Sequence, residues 1–162
     1  MMASSKRDNL TRFGFGFERC GVHSSRTIML EDLRRLLSYV SDPLAGKNDY
    51  FHAIEHDNCL GKRSGKTRKL TARHLATLYT LDPSVILYRV LLYFWKKDPN
   101  AQPLLALLCS YARDSILRSS ASFIHAFSEG QVINREDLEK FIESQEPERF
   151  SKATLKSTAQ NI

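Results

Sequence analysis

Between Val85 and Trp95 every residue except Arg89 is apolar or aromatic. A run of this length is too short to cross a bilayer, which takes about 20 residues, and it carries a charge near its middle. It reads as a buried helix, and a buried helix needs other helices around it. Asp82-Pro83 ahead of the run is a helix start, because Asp caps free N–H groups and Pro fits the first turn. Lys96 and Lys97 suit the negative end of the helix dipole, so the helix is expected to reach about Lys97.

The rest of the chain supplies the partners. Met29, Leu33, Leu36, Leu37 and Val40 share one face of a helix over 26–40, which Asp42-Pro43 and Gly46 end. A short helix is predicted at 48–56, with Tyr50, Phe51 and Ile54 apolar. Residues 57–65 form a loop, and Ser64 caps a helix over 65–79. After an Asp98-Pro99-Asn100 turn come helices over 101–112 and 114–127. Gly130 breaks the chain, and Val132-Ile133 is at most a short extended piece. Asn134 caps a helix over 135–145, Pro147 ends it, and Ser151 caps a last helix over 152–162. This many helices with no clear strand make an all-α, compact multi-helix fold. With 162 residues and 42% hydrophobic composition, the chain can bury a core.

Three segments are expected. Residues 1–24 are polar, with Phe13, Phe15 and Phe17 alternating with Gly14 and Gly16, and read as a flexible or extended stretch that drops aromatics onto the core. Residues 25–127 form the helical core domain. Residues 134–162 form a C-terminal helical hairpin after a linker at 128–133. The chain stops at Ile162 within a helical pattern that has no C-terminal cap. Either water solvates that end, or the sequence is a fragment of something longer.

Cys20, Cys59 and Cys109 are an odd, widely spaced set, a poor disulfide framework that suits a reducing compartment. No secretory signal is visible, so a cytoplasmic location with no membrane association is expected.

The net charge of +6 favours an anionic partner. It is carried by the first half: residues 1–81 hold 14 Lys/Arg against 8 Asp/Glu, and residues 82–162 hold 10 against 10. From Asn58 to Leu81 there is no acid at all, while Lys62, Arg63, Lys66, Arg68, Lys69 and Arg73 cluster there. Lys66, Lys69 and Arg73 fall at i, i+3, i+7 on one helix face. Lys62 and Arg63 sit in the loop near that helix's N-terminus, where backbone N–H groups and the dipole favour anions. Cations around a helix start make a phosphate-backbone grip; the alternative is a solvated basic face. In the last helix Lys152, Lys156, Ser157, Gln160 and Asn161 suit phosphate and base-edge contacts. Two readings fit 134–162: a helix-turn-helix or winged-helix unit whose second helix enters a groove, or a hairpin packed on the core. The seven acids from Glu129 to Glu148 keep the first of its helices off phosphate.

Other constellations lead nowhere specific. Gly61-Lys62-Arg63-Ser64-Gly65-Lys66-Thr67 has three residues between its glycines where a nucleotide-binding loop needs four, and no buried strand precedes it. His52, His56 and Cys59 lack a fourth ligand for zinc. His23, His74 and His125 have no carboxylate or Cys partner near in sequence. No catalytic constellation, metal site or cofactor is expected. The aromatics Tyr79, Tyr88, Tyr93, Phe94, Trp95 and Tyr111 read mostly as core, with base stacking as the lesser alternative.

Several runs together carry a family resemblance: Ser25-Arg26-Thr27-Ile28-Met29-Leu30-Glu31-Asp32-Leu33; Asn58-Cys59-Leu60-Gly61-Lys62-Arg63-Ser64 with Thr67-Arg68; Leu78-Tyr79-Thr80-Leu81-Asp82-Pro83; Ala112-Arg113-Asp114-Ser115-Ile116-Leu117-Arg118; and Arg149-Phe150-Ser151 through Thr154 to Asn161. In order and spacing these resemble BrxA, the small component of bacterial BREX (bacteriophage exclusion) defence systems, over roughly residues 20–162. The resemblance implies a non-enzymatic, all-helical, NusB-like protein with DNA-binding ability that works beside other BREX proteins. Members of that family continue past the position of Asn161 with a Ser/Trp/Gly-containing stretch that this chain lacks, so any wing after the last helix is absent.

Three readings of function follow. The first is a DNA-binding accessory protein that contacts duplex phosphates with little sequence preference. The second is an assembly module for BREX subunits, presenting a patch from the leucine- and aromatic-rich stretch 85–111. The third, by fold analogy alone, is RNA binding.

Overall fold

The computed structural model describes residues 2–17, 26–42 and 44–162. Among these residues there are nine α-helices, one 3-10 turn and no strand, so the all-helical class expected from periodicity holds. Cys20 and His23 lie outside the described residues, as does Pro43, one of the residues expected to end the helix over 26–40. Contacts divide the chain into two units, Met1–Gly16 with Ile28–Arg113, and Phe17–Thr27 with Asp114–Ile162.

The first unit contains α1 (Met2–Phe13), α2 (Leu30–Tyr39), α3 (Lys47–Glu55), α4 (Gly65–Tyr79), α5 (Ile86–Trp95) and α6 (Gln102–Arg113). The helix α1 departs from the flexible or extended reading of residues 1–24. Polarity does not forbid a helix, and Met2–Phe13 contains no glycine or proline to break one. The first glycine is Gly14, and there the helix ends: Gly14 and Phe15 both donate their N–H to the Leu10 carbonyl, at 3.1 and 3.0 Å. Gly14 has φ +121°, and a Cβ on it would fall 2.7 Å from Val85. Gly16 donates to the Ala112 carbonyl, and a Cβ there would lie 2.3 Å from the Arg113 oxygen. Gly14 is fixed by its positive φ and by Val85 and Leu87 at the start of α5, and Gly16 by the backbone at the end of α6, so both positions require glycine.

Helix α2 starts at Leu30, later than the 26 predicted, because Met29 sits in the left-handed region at φ 51°, ψ 40° and the helix cannot extend back through it. Leu33, Leu36 and Leu37 bury its apolar face as the spacing required. Tyr50, Ala53 and Ile54 of α3, Ala72, Leu75, Leu78 and Tyr79 of α4, and Tyr88, Leu91 and Trp95 of α5 are buried as well; α2 packs on α3, α3 on α4, and α4 and α5 each on α6, with the Tyr50 and Tyr88 rings edge to face at 5.7 Å. The Tyr79 hydroxyl donates to the Ile28 carbonyl and accepts from Ser110 at 3.4 Å, which ties α4 to α6 and to the residue before Met29. Burial drives the Tyr79 and Tyr88 hydroxyls well above the usual tyrosine range.

The start of α5 also differs from expectation. Asp82 accepts from the Ser84 N–H at 2.9 Å and the Ser84 hydroxyl at 2.7 Å, so it closes a turn rather than a helix. The helix begins at Ile86, three residues after Pro83. Nor is α5 wholly buried. Tyr88, Leu91 and Trp95 face inward, while Ile86, Val90, Tyr93 and Phe94 are exposed on the opposite side.

The second unit contains α7 (Ser115–His125), α8 (Arg135–Gln145) and α9 (Lys152–Asn161). Asp114, fully buried, caps α7 by accepting from the N–H groups of Ile116 at 2.9 Å and Leu117 at 3.1 Å. Leu138 and Ile142 of α8 pack with Leu155 and Ala159 of α9, and Phe123, Phe141, Phe150 and Ile162 close around them. The Phe123 and Phe141 rings stand 5.0 Å apart. The sequence predicts 114–127 as part of the core domain, followed by a linker at 128–133. Here those residues only connect α7 to α8 within one unit, because the aromatic contacts that join the two helices are long-range.

Candidate nucleic-acid interface

Helix α4 is built in two faces. Thr71, Ala72, Leu75, Leu78 and Tyr79 turn inward, which leaves Lys66, Lys69 and Arg73 exposed on the opposite side. Arg63, exposed in the loop, precedes them. Ser64 caps the helix as its position required, accepting from the Thr67 N–H at 3.1 Å. Among the described residues none of Arg63, Lys66, Lys69 and Arg73 forms an ion pair. Four cations with no neutralising carboxylate are thus presented to solvent within eleven residues of chain.

The other two members of the cluster sit differently. The Lys62 ammonium reaches back across thirty residues of sequence to Asp32 on α2, at 2.8 and 3.0 Å from its two carboxylate oxygens. The backbone holds it there. Asn58, at φ 54°, accepts the Lys62 N–H on its side chain at 2.8 Å and the Gly61 N–H on its carbonyl at 2.8 Å. Leu60 is buried beneath the loop. Lys62 therefore fastens the loop to α2 instead of standing free for phosphate. Arg68 lies on the inward side of the first turn of α4, half-buried, with Nε out of solvent and its guanidinium near Gly65. Helical geometry separates it from the Lys66–Lys69–Arg73 stripe by roughly half a turn.

In the second unit, Leu155, Thr158 and Ala159 bury one side of α9, and Lys152, Lys156 and Gln160 are exposed on the other. Ser151 caps this helix, accepting from Thr154 at 3.2 Å. Lys152 also borders an open groove of about 650 Å³ between α8 and α9, together with Glu136, Glu139, Lys140 and Glu143. The Glu136 carboxyl is held below its usual range by its own backbone N–H at the start of α8 and by Arg135 beside it. Three glutamates next to Lys152 make that part of α9 a poorer phosphate contact than α4, and leave Lys156 as its freer cation.

The histidine and cysteine positions are also resolved. His52 and His56 stack with ring centroids 4.8 Å apart, and His52 Nδ1 stands 3.4 Å from Asp57. Among the described residues no group of three His, Cys, Asp or Glu side chains is placed to hold a metal ion. No helix among them is long and apolar enough to cross a membrane. Cys109 is buried, and burial pushes its thiol up to about 12.

No family model, curated protein or solved structure matches this chain.

Sequence reasoning missed two features. One is the Asp32–Lys62 pair, since nothing local links residues thirty apart. The other is the Arg113 guanidinium, which donates to the carbonyls of Thr77 at 2.5 Å and Gly14 at 2.8 Å and so locks α1, α4 and α6 together.

Proposed function

We propose that the chain is a non-enzymatic DNA-binding protein that grips the phosphate backbone of duplex DNA through Arg63, Lys66, Lys69 and Arg73. By its resemblance to BrxA, it serves as an accessory protein of a BREX phage-defence system in the cytoplasm, using no cofactor. The observation that carries this reading is the unpaired basic face of α4, in a stretch from Asn58 to Leu81 with no acid. Phosphate neutralisation releases counterions, so affinity falls with salt at a slope of about −0.9 per contacted phosphate. Base-edge reading is not needed for such a grip, and little sequence preference follows. Lys156 of α9 supplies a second contact if the α8–α9 hairpin works as a helix-turn-helix or winged-helix unit, and a NusB-like arrangement of the first unit belongs to the same proposal.

The test is a duplex-DNA titration at several salt concentrations, comparing the protein with an Arg63→Ala, Lys66→Ala, Lys69→Ala, Arg73→Ala variant. The variant should bind more weakly and flatten the slope by about 2 to 4. Unchanged affinity and slope would remove α4 as the site. Tighter binding to structured RNA in competition would move the reading to RNA.

A second reading, an assembly module for BREX subunits, is favoured by the exposed apolar side of α5 and α6.

A further inference from the structure

Helices α5 and α6 pack against each other across the 3-10 turn Pro99–Ala101, and each has two apolar sides. Tyr88, Leu91 and Trp95 of α5 and Ala106, Cys109 and Ser110 of α6 face the core. Directly opposite, Val90, Tyr93 and Phe94 on α5 and Leu104, Leu107 and Leu108 on α6 are between 40% and 57% exposed. On α6 the outward leucines fall at i, i+3, i+4, and on α5 the outward residues fall at i, i+3, i+4 as well. Each of the two packed helices thus turns a ridge of large apolar side chains away from the core. Taking ~150–250 Å² for a large side chain, six at about half exposure present on the order of 500 Å². That is toward the top of the ~300–600 Å² usual for the largest patch on a monomer, where such patches are often functional.

Charge decides what fits there. From Pro83 to Arg113 the only acid is Asp98, and its carboxylate is occupied with the N–H groups of Asn100 at 2.9 Å and Ala101 at 3.3 Å. The cations Arg89, Lys96 and Lys97 are exposed around the apolar ridges, with the Lys97 ammonium 4.1 Å from the centre of the Tyr93 ring. A second copy of this chain seated on the face would bring basic rim against basic rim, which is disfavoured. The area also falls short of the ~800 Å² per partner of an ordinary stable interface. A single amphipathic helix meets both conditions: its apolar stripe at i, i+3, i+4, i+7 covers an area of this size, and its flanks can carry the acidic charge that the basic rim calls for. We propose that the outer face of α5 and α6 receives an amphipathic helix of a partner protein, with an apolar stripe against Tyr93, Phe94, Leu104 and Leu108 and an acidic rim against Arg89, Lys96 and Lys97.

The probe is a fluorescent peptide of about 18 residues, long enough to hold a helix, with leucines at i, i+3, i+4, i+7 and glutamates on the flanks. A matched peptide carries lysines on the flanks. Anisotropy titration of the full chain should give saturable binding of the glutamate peptide below about 100 µM, and binding of the lysine peptide at least about tenfold weaker. Leu104→Glu with Leu108→Glu, and independently Tyr93→Ser, should each weaken the glutamate peptide about tenfold or more, with far-UV circular dichroism unchanged since the substituted side chains are exposed. The quadruple α4 variant should bind the peptide within about twofold of the parent, which separates this site from the DNA reading. No binding of the glutamate peptide at 200 µM, equal binding of both peptides, or indifference to all three α5–α6 substitutions would overturn the proposal. So would a dimer in sedimentation velocity that Leu108→Glu abolishes.

Discussion

Replacing Lys62 by alanine should cost stability and leave DNA binding nearly untouched, the opposite of what its place in a basic cluster suggests. Its ammonium makes a two-pronged contact with Asp32, and the two side chains retain only 26% and 18% of their exposure. Hydrogen bonds to charged groups contribute ~1.5–3 kcal/mol, more than an exposed pair would. Removing the ammonium also leaves the Asp32 carboxylate without its partner in a poorly solvated place. We therefore expect Lys62→Ala to destabilise the first unit by about 2 kcal/mol, which lowers its midpoint by about 8–15 °C for a unit of this size. The assay is built in. Trp95 is the sole tryptophan, it is buried, and it lies in this unit, so its fluorescence follows this transition alone. A double-mutant cycle with Asp32→Asn isolates the coupling, expected at about 1–2 kcal/mol. In DNA titrations Lys62→Ala should change the salt slope by less than about half of what Lys66→Ala changes it. A Lys62→Ala protein with parental stability and a slope reduced as far as that of Lys66→Ala would refute the reasoning and return Lys62 to the phosphate grip.

Asp114→Ala removes an acceptor shared by two N–H groups at the start of α7 and should cost about 1–2 kcal/mol by denaturant unfolding followed at 222 nm, with Asp114→Asn recovering much of it. In a Cys20→Ser background at pH 8, a thiol reagent should modify Cys59 while Cys109 stays unmodified until unfolding; equal rates would refute the burial of Cys109. Tyr79 and Tyr88 are raised in the folded state above the ordinary value of 10.0, so the unfolded chain ionises first. Their contribution is complete below pH 10 and is lost as pH rises beyond it, and Tyr88→Phe should flatten the fall in stability between pH 10 and 12.

What the sequence made legible was whatever a helix signals within one or two turns. Ser64 and Ser151 cap where they were placed, the leucines of α2 bury the face their spacing defines, and Lys66, Lys69 and Arg73 share an exposed stripe. What stayed hidden depends on partners distant in sequence. Lys62 looked like its neighbours until Asp32 came to meet it. Arg68 is one residue from Lys69, yet the turn of the helix sends it inward. Asp82-Pro83 carries the signature of a helix start and spends it on a turn, because Ser84 offers the carboxylate two closer donors. The run from Val85 to Trp95 read as buried because period alone does not say which apolar side meets the core when both are apolar. The division at Arg113–Asp114 left no composition shift, since it follows from which aromatic rings meet across α7 and α8.

The two glycines that follow α1 bear on how this chain can drift. Most of the described side chains of α1 are exposed and could change with little effect, so that helix would lose its likeness to any ancestor quickly. Gly14 and Gly16 have no such freedom: the first is held at φ +121° against Val85, and the second would put a Cβ onto the Arg113 carbonyl. A library of single substitutions selected for folding should therefore show a tolerant stretch ending in two blank columns two positions apart, with a third near Arg113, whose guanidinium holds the Gly14 carbonyl. That spacing, glycine-x-glycine early in the chain and an arginine closing the helix that it crosses, is a signature by which remote kin of this protein could be sought after the rest of the N-terminal helix has diverged.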